Sequence, residues 1–155
     1  MIVTLQLVEA KALSYPVLNL SPWLKERGQQ YKDEMLQVSL TGDFNSWVSF
    51  FSEALTAQAN NAVKKIEDLL AVRQEMMEML RRQKVRGVAV DIADSLIGYP
   101  YITVSQAASL HQVTYPPANS AISKLVDMGI LMEVTGADYG RIFVAPKMRA
   151  IFTAR

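Results

Sequence analysis

The sequence predicts a mainly α-helical protein in two parts. Residues 1–83 read as a set of helices that ends in one very long helix, and residues 84–155 as a compact unit of three helices with a small β-hairpin. Three observations carry this reading. Residues 44–82 contain neither glycine nor proline, so nothing local interrupts a helix there. Thr103-Val104-Ser105-Gln106 has the threonine and glutamine spacing of a capping box, which marks a helix start. The run Thr135-Gly136-Ala137-Asp138-Tyr139-Gly140 lies between two short β-prone runs, the pattern of a hairpin.

The opening segment, about Ile2 to Leu13, places Ile2, Leu5, Val8 and Ala12 at helical spacing, with Val3 and Leu7 widening the apolar face. Tyr15-Pro16 ends it, because the residue before a proline is pushed out of the helical region. Ser21 then reads as an N-cap with Pro22 at the first helical position. A second helix is expected from Pro22 to about Val38, with Gly28 inside it at a cost of about 1 kcal/mol relative to alanine. Thr41-Gly42-Asp43 breaks the chain again, with Asp43 as N-cap of the long helix, Phe44 to Arg82, about 60 Å at roughly 1.5 Å per residue. Trp47, Phe51, Ala54, Gln58, Ala62, Ile66, Leu69, Met76 and Leu80 form a seam along it, and Met76, Met77 and Met79 read as core or interface filler. Val63, Ile66, Leu69, Leu70, Met76 and Leu80 are the candidate self-association residues. The alternative is that this half of the helix packs against the C-terminal unit.

In that unit a helix from Arg86 to Ile97 stops at Gly98-Tyr99-Pro100, and Tyr101-Ile102 gives a short strand. The capping box opens a helix from Ser105 to His111, and a tight turn at Gln112-Val113 leads to Thr114, read as N-cap of a third helix ending at Met128. Ala118, Ile122 and Leu125 line its buried side, and Gly129 is a left-handed C-cap. Strands Ile130–Val134 and Arg141–Ala145 flank the Gly-containing turn. Helix, capped turn, helix and hairpin in this order spell a winged helix-turn-helix. If such a unit reads DNA, the third helix enters the major groove and the wing touches the backbone. The face so presented is Tyr115, Pro116, Asn119, Ser120, Ser123 and Lys124, with Arg141 beside the wing tip and Asp138 opposing it. Asn119 is the candidate adenine reader, Ser120 and Ser123 reach bases or phosphates, and Lys124 and Arg141 are the cations. Two cations predict weak, easily salted-off duplex binding, so the alternative use is a protein contact.

Composition narrows the function further. Half of the 155 residues are apolar, enough for a core. The net charge is +1, and residues 1–84 (ten basic, ten acidic) and 85–155 (six and five) are both nearly balanced, so no bulk electrostatic attraction to nucleic acid is expected. Without cysteine there is no disulfide, thiolate nucleophile or cysteine-held zinc, and cytoplasm is the expected compartment. The apolar start is broken by Gln6 and followed by Glu9, too short to span a bilayer and without a basic flank, so neither signal peptide nor membrane partner is expected. The single histidine, His111, has no acidic or histidine neighbour at metal-sharing spacing and reads as a half-buried or capping residue. Asp91 and Asp94 read as a solvated helix face. Arg81, Arg82, Lys84 and Arg86 read as a solvated helix end with a further capacity for phosphate contacts. No catalytic, cofactor or metal residue is assigned.

The segments SYPVLNLSPWLKERGQQY, GDFNSWVSFFSEALTAQA and KKIEDLLAVRQEMMEML follow one another in an order that resembles the C-terminal part of Fic-family proteins. The matching elements are a Pro-x-Leu-x-Leu-Ser entry, a Gly-Asp-aromatic-x-x-Trp helix start with a Phe-Phe pair, and a closing long helix, across roughly residues 1–83. Gly28 and Lys32 depart from the usual family residues. The family's catalytic loop, His-Pro-Phe-x-x-Gly-Asn-Gly-Arg-x-x-Arg, has no counterpart here. Whole Fic proteins transfer AMP from ATP to a target protein's hydroxyl with magnesium at the phosphates, and many carry a winged helix after the long helices. The resemblance therefore implies a non-catalytic C-terminal module. Its implied partners are another copy of itself or a missing Fic catalytic portion. The alternative is a dimeric winged-helix transcription regulator binding double-stranded DNA.

Overall fold

The computed structural model describes residues 2–136 and 139–153, with side chains described from Thr4 onward. It is mainly helical with a small antiparallel sheet, and it divides into two compact units, residues 1–64 and 65–155. The division falls inside the long helix rather than at its end, because the second half of that helix packs with the C-terminal unit.

The first unit contains α1 (Ile2–Glu9), α2 (Ser21–Glu26), α3 (Gly28–Thr41) and the start of α4 (Asn45–Arg82). α1 stops short of Leu13 because Lys11 takes a left-handed φ of 58°, and the Ala12 and Lys11 amides close back on Leu7 and Val8. Its inward face also differs from the expected one. Leu5 and Ala12 are exposed, whereas Thr4 is buried with its hydroxyl donating to the Leu18 carbonyl at 3.0 Å. The helix expected from Pro22 to Val38 is two helices. Arg27 leaves helical geometry (φ −108°, ψ 31°), Gly28 opens α3, and the Arg27 guanidinium lies 4.2 Å above the Trp23 ring. Ser21 is not the cap: it is the first residue of α2, Leu20 stands at the N-cap, and the Ser21 amide donates to Asn19 Oδ1. Asp43 lies one residue before the N-cap position, which Phe44 holds, and its carboxylate accepts from the Asn45 amide at 2.9 Å. The core here is aromatic. Trp23 meets Phe50 at 5.0 Å, and Trp47 reaches Tyr31, Phe50 and Phe51 at 5.4–5.9 Å. α3 buries no residue fully, and Met35, Leu36 and Leu40 stay exposed.

The second unit takes the rest of α4, then α5 (Val88–Ser95), β1 (Tyr101–Thr103), α6 (Val104–Leu110), α7 (Tyr115–Asp127), β2 (Met132–Glu133), β3 (Ile142–Val144) and α8 (Pro146–Thr153). α8 is absent from the sequence reading. Its start has a local cause, proline at the first helical position, and Met148 anchors it in the core. The three strands pair antiparallel in the order β1-β3-β2. One continuous core runs through Leu69, Met76, Leu80, Val85, Ile92, Leu96, Ile102, Ile122, Leu125, Leu131, Phe143 and Met148. Among the described residues no helix is long and apolar enough to cross a membrane.

Three helix ends in this unit follow one rule. α4, α6 and α7 each close with a left-handed residue, Lys84 (φ 54°), Gln112 (53°) and Gly129 (70°). In each case that amide and the next reach back three and five residues, as Val85 does to Leu80 at 2.9 Å. The capping box is present in both directions, Gln106 amide to Thr103 Oγ1 and Thr103 amide to Gln106 Oε1. Thr114 occupies the N-cap position of α7 with extended backbone but makes no side-chain bond. The reason is chemical: a cap oxygen bonds the second or third helical amide, and those residues are Pro116 and Pro117, which have none. α5 starts at Val88, after the expected Arg86, because Gly87 sits at φ 72°, ψ −153°, a conformation open essentially to glycine alone.

Two substitutions test this backbone reading. Lys84→Gly relieves a left-handed non-glycine residue, worth about 1–2 kcal/mol, against an unfolded-state cost of about 0.4–1 kcal/mol, so a net gain of roughly 0.5–1 kcal/mol is expected in urea unfolding. Gly87→Ala meets no neighbouring atom and still has to lose about 1–3 kcal/mol from strain alone.

Candidate interaction surface

α7 is amphipathic for a reason visible in its residues. Ala118, Ala121, Ile122 and Leu125 fall on one stripe and are buried, which turns Tyr115, Ser120, Ser123 and Lys124 outward. These four stand exposed on one helix as the sequence implies. Asn119 and Arg141 do not join them as free groups. The Arg141 guanidinium donates to Asn119 Oδ1 at 3.0 Å, approaches Glu133 Oε2 at 3.8 Å and lies 5.4 Å from the centre of the Phe143 ring. Both Arg141 and Glu133 are about one-third exposed. Asp138, expected to oppose Arg141, lies outside the described residues, and Glu133 on β2 supplies the acidic partner.

This contact changes what the surface can do. A guanidinium only donates, so the Asn119 atom facing it is the carbonyl oxygen. Adenine recognition by asparagine uses that oxygen to accept from the base while the amide donates. Here that oxygen accepts from the cation expected to hold a phosphate, so the two expected DNA contacts are tied to each other, while the oxygen's second lone pair and the other guanidinium donors stay open. Lys124 is left as the exposed cation of the α7 face.

The six candidate self-association residues separate into two groups. Leu69, Met76 and Leu80 are buried in the core of the second unit, as the packing alternative has it. Val63, Ile66 and Leu70 are 50–55% exposed and share one stripe of α4 at spacings of three and four. Charged pairs hold the buried side: Arg73 meets Asp94 of α5, and Glu75 meets Lys147 of α8, each at 2.5 Å. Both pairs are about half exposed, which limits each to about 0–1 kcal/mol. Asp91 is exposed, as a solvated face would have it, whereas Asp94 is half-buried against Arg73.

His111 sits at the C-cap of α6, half-buried, as read from sequence. Ser95 Oγ donates to the Ile92 carbonyl at 2.7 Å and lies 3.2 Å from His111 Nε2. The bond ties the end of α5 to the end of α6. No group of three metal-ligating side chains occurs among the described residues. A cavity of about 30 Å³ beside Met76, Met79 and Met148 has room for one water. An open groove of about 240 Å³ beside Tyr99, Tyr101 and Leu110 is smaller than the roughly 300–1,000 Å³ of ordinary ligand sites. Arg81, Lys84 and Arg86 are exposed around the α4 C-terminus, where positive charge complements the helix dipole. No family model matches this sequence.

Two measurements follow from this geometry. A double-mutant cycle of Asn119→Ala and Arg141→Ala should show a coupling of about 0.5–1.5 kcal/mol in unfolding free energy, whereas strict additivity would mean the pair contributes nothing. Adjacent leucines on α4 should behave oppositely. Leu69→Ala should cost about 2–5 kcal/mol, and Leu70→Ala should stay within about 0.5 kcal/mol of wild type.

Proposed function

We propose that this chain is a non-catalytic assembly module related to the C-terminal part of Fic proteins, in which a winged helix-turn-helix makes protein contacts instead of reading DNA. The winged-helix reading is supported by the element order from α5 to β3, the capped turn into α6 and the three-stranded antiparallel sheet. The Fic relationship rests on the motifs of residues 1–83. The observation that carries the functional choice is the bond between Arg141 and Asn119. A DNA-reading winged helix uses these positions on nucleic acid, and here they bond each other and hold the hairpin to α7. Association through Val63, Ile66 and Leu70 of α4 is the second part of the proposal, because these side chains form an apolar stripe that the chain leaves in solvent.

The rival is a dimeric winged-helix regulator, and it makes different demands. It requires that Lys124 and Arg141 each contribute to phosphate binding, with the salt slope falling by about one unit when either is replaced. Selection from a random duplex library decides the matter. The assembly reading expects weak retention lost below physiological salt and no enriched motif. A palindromic motif held tightly at physiological salt overturns it. In sedimentation, Ile66→Glu with Leu70→Glu should lower the mean mass at a given concentration while helix content is kept.

A further inference from the structure

We infer that the turn joining α4 to α5 is a binding site for a flexible acidic segment, rich in aspartate or glutamate, of a partner protein. This rests on the assembly reading and names a partner chemistry for it. The six residues from Arg81 to Arg86 hold four cations, Arg81, Arg82, Lys84 and Arg86, and no acid, in a chain whose net charge is +1. All four are exposed. Arg82 approaches Glu78 at 3.5 Å with its own side chain 81% exposed. Among the described residues the side chains of Arg81, Lys84 and Arg86 have no ion-pair or hydrogen-bond partner.

The fold accounts for only part of this charge. The last carbonyls of α4 are already satisfied by the backbone, since Met79, Leu80 and Arg81 accept from the amides of Gln83, Val85 and Lys84 at 2.9–3.1 Å. The helix dipole favours cations in the last turn, which covers Arg81 and Arg82 and leaves Lys84 and Arg86 beyond the helix end. Lys84 also holds a left-handed φ of 54°, where glycine would sit with less strain. The turn is fixed from beneath by Leu80 and Val85, which are buried in the core, so binding has to order side chains and not backbone.

Arrangement and neighbours select the occupant. Guanidinium groups take carboxylates or phosphates through paired hydrogen bonds, so the ligand is a polyanion. Successive residues of a helix point about 100° apart, so Arg81 and Arg82 project to different sides of α4, while Lys84 and Arg86 flank the inward-facing Val85. Cations splayed around a helix end suit a chain that bends about them, and a stiff duplex meets one side of such a cluster. A flexible single strand needs aromatic faces on which its bases stack, and residues 71–98 contain no aromatic side chain. No large apolar side chain in that stretch is exposed, so a lipid surface finds no anchor beside the charge. A second copy fits no better, because the adjacent acidic pairs of this chain, Asp33-Glu34 and Glu67-Asp68, follow closely on Lys32 and on Lys64-Lys65. An acid-only segment of another protein meets all four cations.

Fluorescence anisotropy of the full chain with labelled octaglutamate tests the site, with octaglutamine as the neutral control. At about 50 mM salt, where exposed charges are less screened, wild type should bind octaglutamate alone. Arg81→Gln with Lys84→Gly and Arg86→Gln should weaken binding about tenfold or more, at about two- to fivefold for each cation. Lys84→Gly by itself should weaken binding while raising stability in urea, which separates lost binding from lost folding. Lys25→Gln with Lys32→Gln and Lys124→Gln removes the same charge elsewhere and should bind as wild type does. Equal loss in the two triple variants means that net charge alone acts and overturns the site, as does a folded wild type that leaves octaglutamate unbound. A duplex of about 20 base pairs that displaces the labelled peptide better than unlabelled peptide does, at equal anionic charge, assigns the turn to nucleic acid and also overturns the proposal. The turn variants should keep the wild-type mass distribution in sedimentation. Failure at the turn therefore leaves the α4 stripe standing, and a monomeric wild type that still binds octaglutamate removes the stripe and leaves the turn.

Discussion

Burial of the second half of α4 is the constraint on which the C-terminal unit depends. Leu69, Met76 and Leu80 enter the same core as α5, α7 and the sheet. At about 1.5–3 kcal/mol for each buried side chain, they contribute roughly 5–9 kcal/mol, against total stabilities of about 5–15 kcal/mol for whole domains. The turn that follows is part of the same device. With Lys84 left-handed, the Val85 amide closes on the Leu80 carbonyl and both side chains are buried, the hydrophobic contact that accompanies this type of helix ending. The helix end, the turn and the core thus form one cooperative element.

That constraint decides which surface remains for function. With Leu69 and Leu80 facing inward, Ile66 and Leu70 on the adjacent stripe stay about half exposed. A comparable logic operates on α7, where burial of Ala118, Ile122 and Leu125 leaves a polar face with Lys124 as its cation. The hairpin is held to α7 by the bond from Arg141 to Asn119.

How much of this was legible in the sequence depends on how local each signal is. The capping box, the left-handed Gly129 and the buried stripe of α7 were readable because each needs only neighbours within one or two turns. Thr114 was placed correctly, and its missing bond was also readable in principle from Pro116 and Pro117. The break at Arg27 had a weak local signal in Gly28. α8 was marked by Pro146 followed by Met148 and Ile151, a helix start with a buried side that went unread. By contrast, two adjacent stripes of α4 are both apolar, and periodicity cannot say which one another element covers. The Arg141 bond to Asn119 joins residues 22 apart through tertiary packing, and no sequence pattern announces it.

Native-state hydrogen exchange along α4 tests the central claim most directly. If the second half of α4 belongs to the core of the C-terminal unit, amides from Leu69 to Leu80 exchange only through the same global opening as those of Ile122 and Leu125, with the same denaturant dependence. Exchange of Leu69 to Leu80 through a separate, lower-energy opening while α7 stays protected would contradict it.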